Sequence, residues 1–114
     1  MQRFTDTVEK GRRRGTGLGF PTINIPLPDK SISGIYAARV SIKDETPYMA
    51  AAFADPVRGT LEAHILDFED DLVGLNVTIE LLEKIRDTTD FKDDETMKAA
   101  IADDVKKVRE YFKT

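Results

Sequence analysis

Gly34-Ile35-Tyr36-Ala37-Ala38-Arg39-Val40-Ser41-Ile42 decides how this chain folds. Tyr36, Ala38, Val40 and Ile42 fall on one face and Arg39 and Ser41 on the other, the period of two that marks a strand with one side against a core. Working outward, Lys43-Asp44-Glu45-Thr46-Pro47 supplies a turn, and Tyr48 to Ala54 is apolar on both faces. Thr60 to Phe68 reads as another strand, and Val77, Ile79, Leu81 and Ile85 alternate with Thr78, Glu80 and Lys84. Upstream, Thr5 to Glu9 and the β-branched, proline-bounded Thr22-Ile23-Asn24-Ile25-Pro26 complete about six short strands. Most connections are too short for crossover helices, so the sheet is predicted to be antiparallel. At this length its edges are best protected by closure into a small barrel over about residues 1–86.

The period then changes. Met97, Ile101, Val105, Val108 and Phe112 recur every three or four residues, one apolar stripe on an otherwise charged helix predicted over about 94–113. Asp93 suits the N-cap, Asp94 and Glu95 the positive end of the helix dipole, and Lys106, Lys107 and Arg109 its negative end. The polar face mixes signs where a membrane-surface helix would be basic, so the stripe is expected to pack on the barrel.

The 114 residues are 40% hydrophobic, enough for one compact core, and a single domain over 1–114 is expected. Seventeen Lys+Arg against 21 Asp+Glu give a net charge of −4, which argues against general attraction to nucleic acid. Cysteine is absent, which excludes a disulfide framework and a thiolate metal site. Met1-Gln2-Arg3-Phe4 opens no apolar segment, so no membrane association and a cytoplasmic location are expected. A monomer is expected as well.

Chemistry concentrates first in Gly11-Arg12-Arg13-Arg14-Gly15-Thr16-Gly17-Leu18-Gly19-Phe20-Pro21-Thr22-Ile23-Asn24. Glycines let backbone N–H groups turn toward phosphate oxygens and arginines neutralise charge, while a threonine hydroxyl and an asparagine amide are hard oxygen donors of the kind Mg²⁺ accepts. A mobile surface loop is the plain alternative for such a composition. Two familiar phosphate motifs do not fit. A Walker loop needs a lysine after its glycines and then a helix, and a dinucleotide fingerprint needs GxGxxG opening a helix. Here Gly15, Gly17 and Gly19 are spaced GxGxG and lead into extended chain.

The second candidate is Glu62, in Gly59-Thr60-Leu61-Glu62-Ala63-His64-Ile65-Leu66-Asp67-Phe68. Alternation puts Glu62 on one face with His64, Leu66 and Phe68, a carboxylate among apolar groups that is costly unless used or paired. It would suit a general base accepting the proton of a substrate hydroxyl in phosphoryl transfer. A solvent-facing strand glutamate is the other reading. His64, the only histidine, excludes a multi-histidine metal centre and reads as structural. The acidic residues Glu69, Asp70, Asp71, Asp90, Asp93, Asp94, Asp103 and Asp104 lack EF-hand spacing and read as solvated caps and turns.

Taken in order, these motifs resemble the flavokinases, the riboflavin kinase module found alone or as the C-terminal half of bifunctional FAD synthetases. The resemblance covers nearly the whole chain. It rests on Val8-x-x-Gly11-x-x-x-Gly15-x-x-Leu18-Gly19-Phe20-Pro21-Thr22-x-Asn24, Gly34-Ile35-Tyr36-Ala37, Leu61-Glu62-Ala63-His64, Asp71-Leu72-x-Gly74, Lys84-Ile85-Arg86 with Phe91, and Ile101-x-x-Asp104. It implies an all-β fold with a C-terminal helix, a closed six-stranded antiparallel Greek-key barrel. It also implies Mg²⁺-dependent phosphorylation of the riboflavin 5′-hydroxyl by ATP, giving FMN and ADP. Glu62 would be the catalytic base, and Thr22 and Asn24 would hold Mg²⁺ against the nucleotide. Gly11, Gly15, Thr16, Gly17 and Gly19 would cover the phosphates, and Arg86 would border the flavin. The chain departs from the family pattern at Thr16, Ile23, Val73 and across Ala52-Phe53-Ala54-Asp55-Pro56-Val57-Arg58-Gly59. A flavin- or nucleotide-binding module that kept the barrel but lost turnover is the alternative function.

Overall fold

The computed structural model describes residues 2–10, 19–43 and 45–113. Six strands, β1 (Gln2–Thr7), β2 (Ile23–Pro26), β3 (Gly34–Ile42), β4 (Tyr48–Asp55), β5 (Thr60–Ile65) and β6 (Asn76–Arg86), precede one helix, α1 (Asp94–Phe112). Every strand pairing is antiparallel and the spatial order is β1-β6-β3-β4-β5-β2. β3, β4 and β5 form a meander, while the chain crosses the barrel between β2 and β3 and between β5 and β6. Past β1, a bridge from Glu9 to Asn24, with the Glu9 N–H donating to the Asn24 carbonyl at 2.8 Å, links the two outer strands. The barrel is therefore nearly closed.

Alternation fills its interior. Val40, Val77, Ile79, Leu61 and Ile25 are fully buried, and β4 contributes only Ala50, Ala52 and Ala54 to the same core. A six-stranded barrel leaves little internal space, so one wall of methyl groups lets the larger side chains opposite meet across it. The doubly apolar character of β4 has a second cause. On the outer face, Met49 and Ala51 join Ala37, Leu66 and Ile85 beneath Val105, Val108 and Phe112 of α1. Full burial of Val108 alone removes apolar area worth about 1.5–3 kcal/mol. The helix begins as expected: Asp93 accepts a 2.8 Å hydrogen bond from the Thr96 N–H.

Four sequence-based expectations need correction. The first strand is Gln2–Thr7, not Thr5–Glu9, because Val8 leaves the β6 ladder at the barrel corner, where its N–H bonds the Leu75 carbonyl. β5 ends at Ile65, not Phe68, since Asp67 turns the chain with a φ of 57°. Phe68 consequently does not share Glu62's face and packs against the barrel core, while Leu66 stays on the outer face, under α1. β6 carries an extra residue against β3 at Leu82 and again at Ile85, so Ile85 leaves the face of Val77, Ile79 and Leu81 and packs under α1. Asp104 is no solvated helix residue. It is buried, and Arg86 grips it through Nε at 2.7 Å and Nη2 at 2.8 Å.

Gly34 shows why β3 starts as it does. Its φ is +112°, and a Cβ there would stand 2.8 Å from the Arg86 carbonyl and 2.6 Å from the Lys84 side chain. Only glycine combines that backbone conformation with so close an approach to β6.

Candidate active site

Glu62 stands on the outer face of the barrel, because its strand neighbours Leu61 and Ala63 point into the core. Register then decides its company. Asn24 of β2 lies directly opposite it on one side and Phe53 of β4 on the other. Directly paired residues of antiparallel strands project to the same face, with Cβ atoms about 4.5–5.5 Å apart. Just before β2, the Thr22 hydroxyl donates to Glu62 Oε1 at 3.4 Å. A carboxylate, a hydroxyl and a carboxamide thus converge where β2 meets β5. Asn24 is 8% exposed, a polar side chain largely withdrawn from water.

The approach to Thr22 is held by His64. Its Nδ1–H donates to the Pro21 carbonyl at 2.8 Å, which fixes the tautomer since a carbonyl only accepts, and Phe20 meets its ring edge-on at 5.4 Å. The structural role expected of His64 is therefore specific: it anchors the segment that delivers Thr22. Gly19 lies in a turn with φ of +90° immediately before Phe20. Gly11, Gly15, Thr16 and Gly17, the other nucleotide-binding candidates, lie outside the described residues.

Burial is the largest influence on the Glu62 carboxyl and pushes its pKa above the ordinary glutamate value. The hydrogen bond from Thr22 and the charge of Arg58 pull the other way, and Asp55 adds to the rise. Both of these charges come from the β4–β5 turn, where Asp55 Oδ1 accepts the Val57 and Arg58 N–H groups at 3.1 and 3.2 Å. The outcome is a partly desolvated carboxylate that holds a proton more tightly than an exposed one, as a base near neutral pH requires.

Among the described residues no group of three or more His, Cys, Asp or Glu is placed to hold a metal. The oxygens of Thr22 and Asn24 are still hard donors of the kind that suits Mg²⁺, which keeps several waters and is commonly completed by substrate phosphates. A shallow cleft of about 40 Å³ runs beside Thr22, between Pro21–Ile23 and Phe68–Asp70. The larger concavity, about 500 Å³, lies over Arg3, Arg39 and Glu80 on the outside of β1, β6 and β3 and contains none of the candidate residues. Its polar groups already bond one another, Arg3 to Glu80 at 2.8 Å and Thr5 to Thr78 at 2.8 Å. The chemistry therefore points to the Glu62 region.

Arg86 belongs to the same outer-face row, reached through Ile35, which pairs with Phe53 on one side and Arg86 on the other. It does not touch Glu62. Its described partners are Asp104, the Asp87 carbonyl at 3.2 Å and the Phe91 ring at 5.7 Å. Sequence reasoning missed Phe53, Arg58 and Asp55 as neighbours of Glu62. The small-residue run around Phe53 was visible, but its register against β5 was not. No helix among the described residues is long and apolar enough to cross a membrane.

Comparison with known proteins identifies the family. Residues 2–112 match the flavokinase family, described as riboflavin kinase. The bifunctional riboflavin kinase/FMN adenylyltransferase of Escherichia coli K12 is 34% identical over 113 residues, covering 92% of this chain and 36% of that protein. The chain thus spans about a third of that relative's length. Among solved structures, riboflavin kinase from Trypanosoma brucei superposes with a TM-score of 0.71 at 25% identity, covering 98% of this chain and 80% of that one. A Streptococcus pneumoniae chain described as a macrolide-efflux protein gives 0.79 at 28% identity, covering 94% of this chain and 38% of that one. This chain belongs to the riboflavin kinase (flavokinase) family.

Proposed function

We propose that this chain is a riboflavin kinase, transferring the γ-phosphoryl group of ATP to the riboflavin 5′-hydroxyl and giving FMN and ADP. The observation that carries the reading is the placement of Glu62 directly opposite Asn24 and under the Thr22 hydroxyl, in a chain of the flavokinase family. Glu62 accepts the proton of the 5′-hydroxyl as its oxygen attacks phosphorus, and the bond from the γ-phosphorus to the bridging oxygen of ADP breaks. Thr22 and Asn24 are the ligands offered to Mg²⁺, which when bound neutralises charge on the nucleotide phosphates. Thr22 donates its hydroxyl proton to Glu62, which leaves the oxygen's lone pairs available to a metal. His64 keeps Thr22 in place through Pro21.

Phosphoryl transfer asks the protein chiefly for positioning and charge stabilisation. A module that only bound flavin or nucleotide would have no use for a desolvated carboxylate beside two hard-oxygen ligands. The test is riboflavin-dependent release of ADP from ATP in Mg²⁺, with 5′-deoxyriboflavin as control. Release with riboflavin and none with the deoxy analogue supports the assignment. No release with riboflavin, or equal release with both, refutes it.

A further inference from the structure

We infer that Phe53 is the residue that seats the acceptor's ring system, an inference that rests on the riboflavin kinase reading. The outer face of the barrel carries one row of directly paired residues across five strands: Asn24, Glu62, Phe53, Ile35 and Arg86. Polar groups stand at its ends and two apolar side chains between them. The neighbouring row, Ala37 and Ala51, lies beneath α1. Phe53 and Ile35 are only partly buried and pack against neither the barrel core nor the helix core. On β4 the outward residues nearest the helix are Met49 and Ala51, so Phe53 is the one aromatic ring that this strand presents beside Glu62.

The spacing suits a flat acceptor with a polyol arm. Glu62 and Arg86 are separated by three inter-strand steps, about 14 Å in all. That is comparable to the reach of a tricyclic ring carrying a five-carbon side chain. With its terminal hydroxyl at Glu62, such a molecule lays its arm and ring along the row over Phe53 and Ile35, toward the Arg86 guanidinium. An aromatic side chain at this point provides a stacking surface at low entropy cost, because it has only two torsions to fix. Phe53 thereby sets affinity for the acceptor and leaves nucleotide binding to the β2 side of Glu62.

The experiment compares the wild type, F53A and F53W. In steady-state kinetics F53A is expected to raise KM for riboflavin about tenfold, with a much smaller change in kcat and in KM for ATP. Flavin fluorescence supplies a readout that a merely structural role would not move. Indole donates an electron to a stacked excited isoalloxazine, so flavin bound to F53W should lose most of its emission, while flavin bound to the wild type, facing a phenyl ring, should not. An unchanged riboflavin KM in F53A overturns the inference, as does bound flavin equally bright in F53W and the wild type. A wild type that does not phosphorylate riboflavin at all refutes the kinase reading and the inference with it. Turnover by the wild type with indifference to F53A refutes the inference alone.

Discussion

Removing the Asp104 carboxylate should be the most damaging single change outside the barrel core. Asp104 is 4% exposed in its side chain and receives two hydrogen bonds, at 2.7 and 2.8 Å, from an Arg86 side chain that is 23% exposed. Asp104→Ala leaves a guanidinium facing a cavity, and breaking a buried pair from one side costs about 3–5 kcal/mol. Arg86 retains some access to water, so the lower end, about 3 kcal/mol, applies. For a chain of 114 residues each kcal/mol lowers Tm by about 4 °C, so melting should fall by about 12 °C. Replacing both partners by apolar side chains, R86M/D104L, should recover most of the loss, because no charge is then left without its partner. Urea unfolding of the wild type, both single variants and the double variant measures each value. A loss under about 1 kcal/mol in D104A, the worth of an exposed surface pair, would refute the reasoning.

Glu62→Gln should keep the fold and lower kcat by about 10²–10⁴-fold, the usual contribution of a positioned base. Because burial raises the Glu62 pKa, the native state gains stability from the protonated form. That gain is complete below the ordinary glutamate range and lost as pH rises through the raised native value. E62Q should therefore melt above the wild type at neutral pH, with the difference vanishing in acid. The acid limb of the wild-type kcat/KM profile should likewise lie above the usual carboxylate range, and a limb within that range would remove Glu62 as its origin. Asn24→Ala should weaken nucleotide binding in Mg²⁺ at least about tenfold, and calorimetry should find the two proteins alike in EDTA. Equal affinity in Mg²⁺ would exclude Asn24 as a ligand.

Much of this was legible in the sequence, for identifiable reasons. β3 and β6 have one face in the core, so alternation of Val40, Val77, Ile79 and Leu81 with polar residues locates them directly. Phase in the α1 stripe and the Asp93 cap are local signals, and both hold. The misreadings arise where backbone geometry departs from its sequence signal. Asp67 takes a left-handed φ without being glycine, so nothing in Ile65-Leu66-Asp67-Phe68 announces the end of β5. The extra residues at Leu82 and Ile85 of β6 carry no glycine or proline to announce them. Long-range pairing sets the rest. Asp104 looks like any helix-surface acid until Arg86 is placed beside it, and Asn24 and Phe53 flank Glu62 only because of the register of β2 and β4 on β5.

Catalysis by this chain requires that the group facing Asn24 and Thr22 take up a proton during phosphoryl transfer. Incubating the wild type and E62Q side by side with γ-³²P-labelled ATP, Mg²⁺ and riboflavin, and separating the flavins, tests this most directly. With the wild type, label should appear in a product that comigrates with FMN, and a folded E62Q should label it at least about a hundredfold more slowly. Label absent from the flavin with wild-type protein, or equal rates for the two proteins, would contradict this.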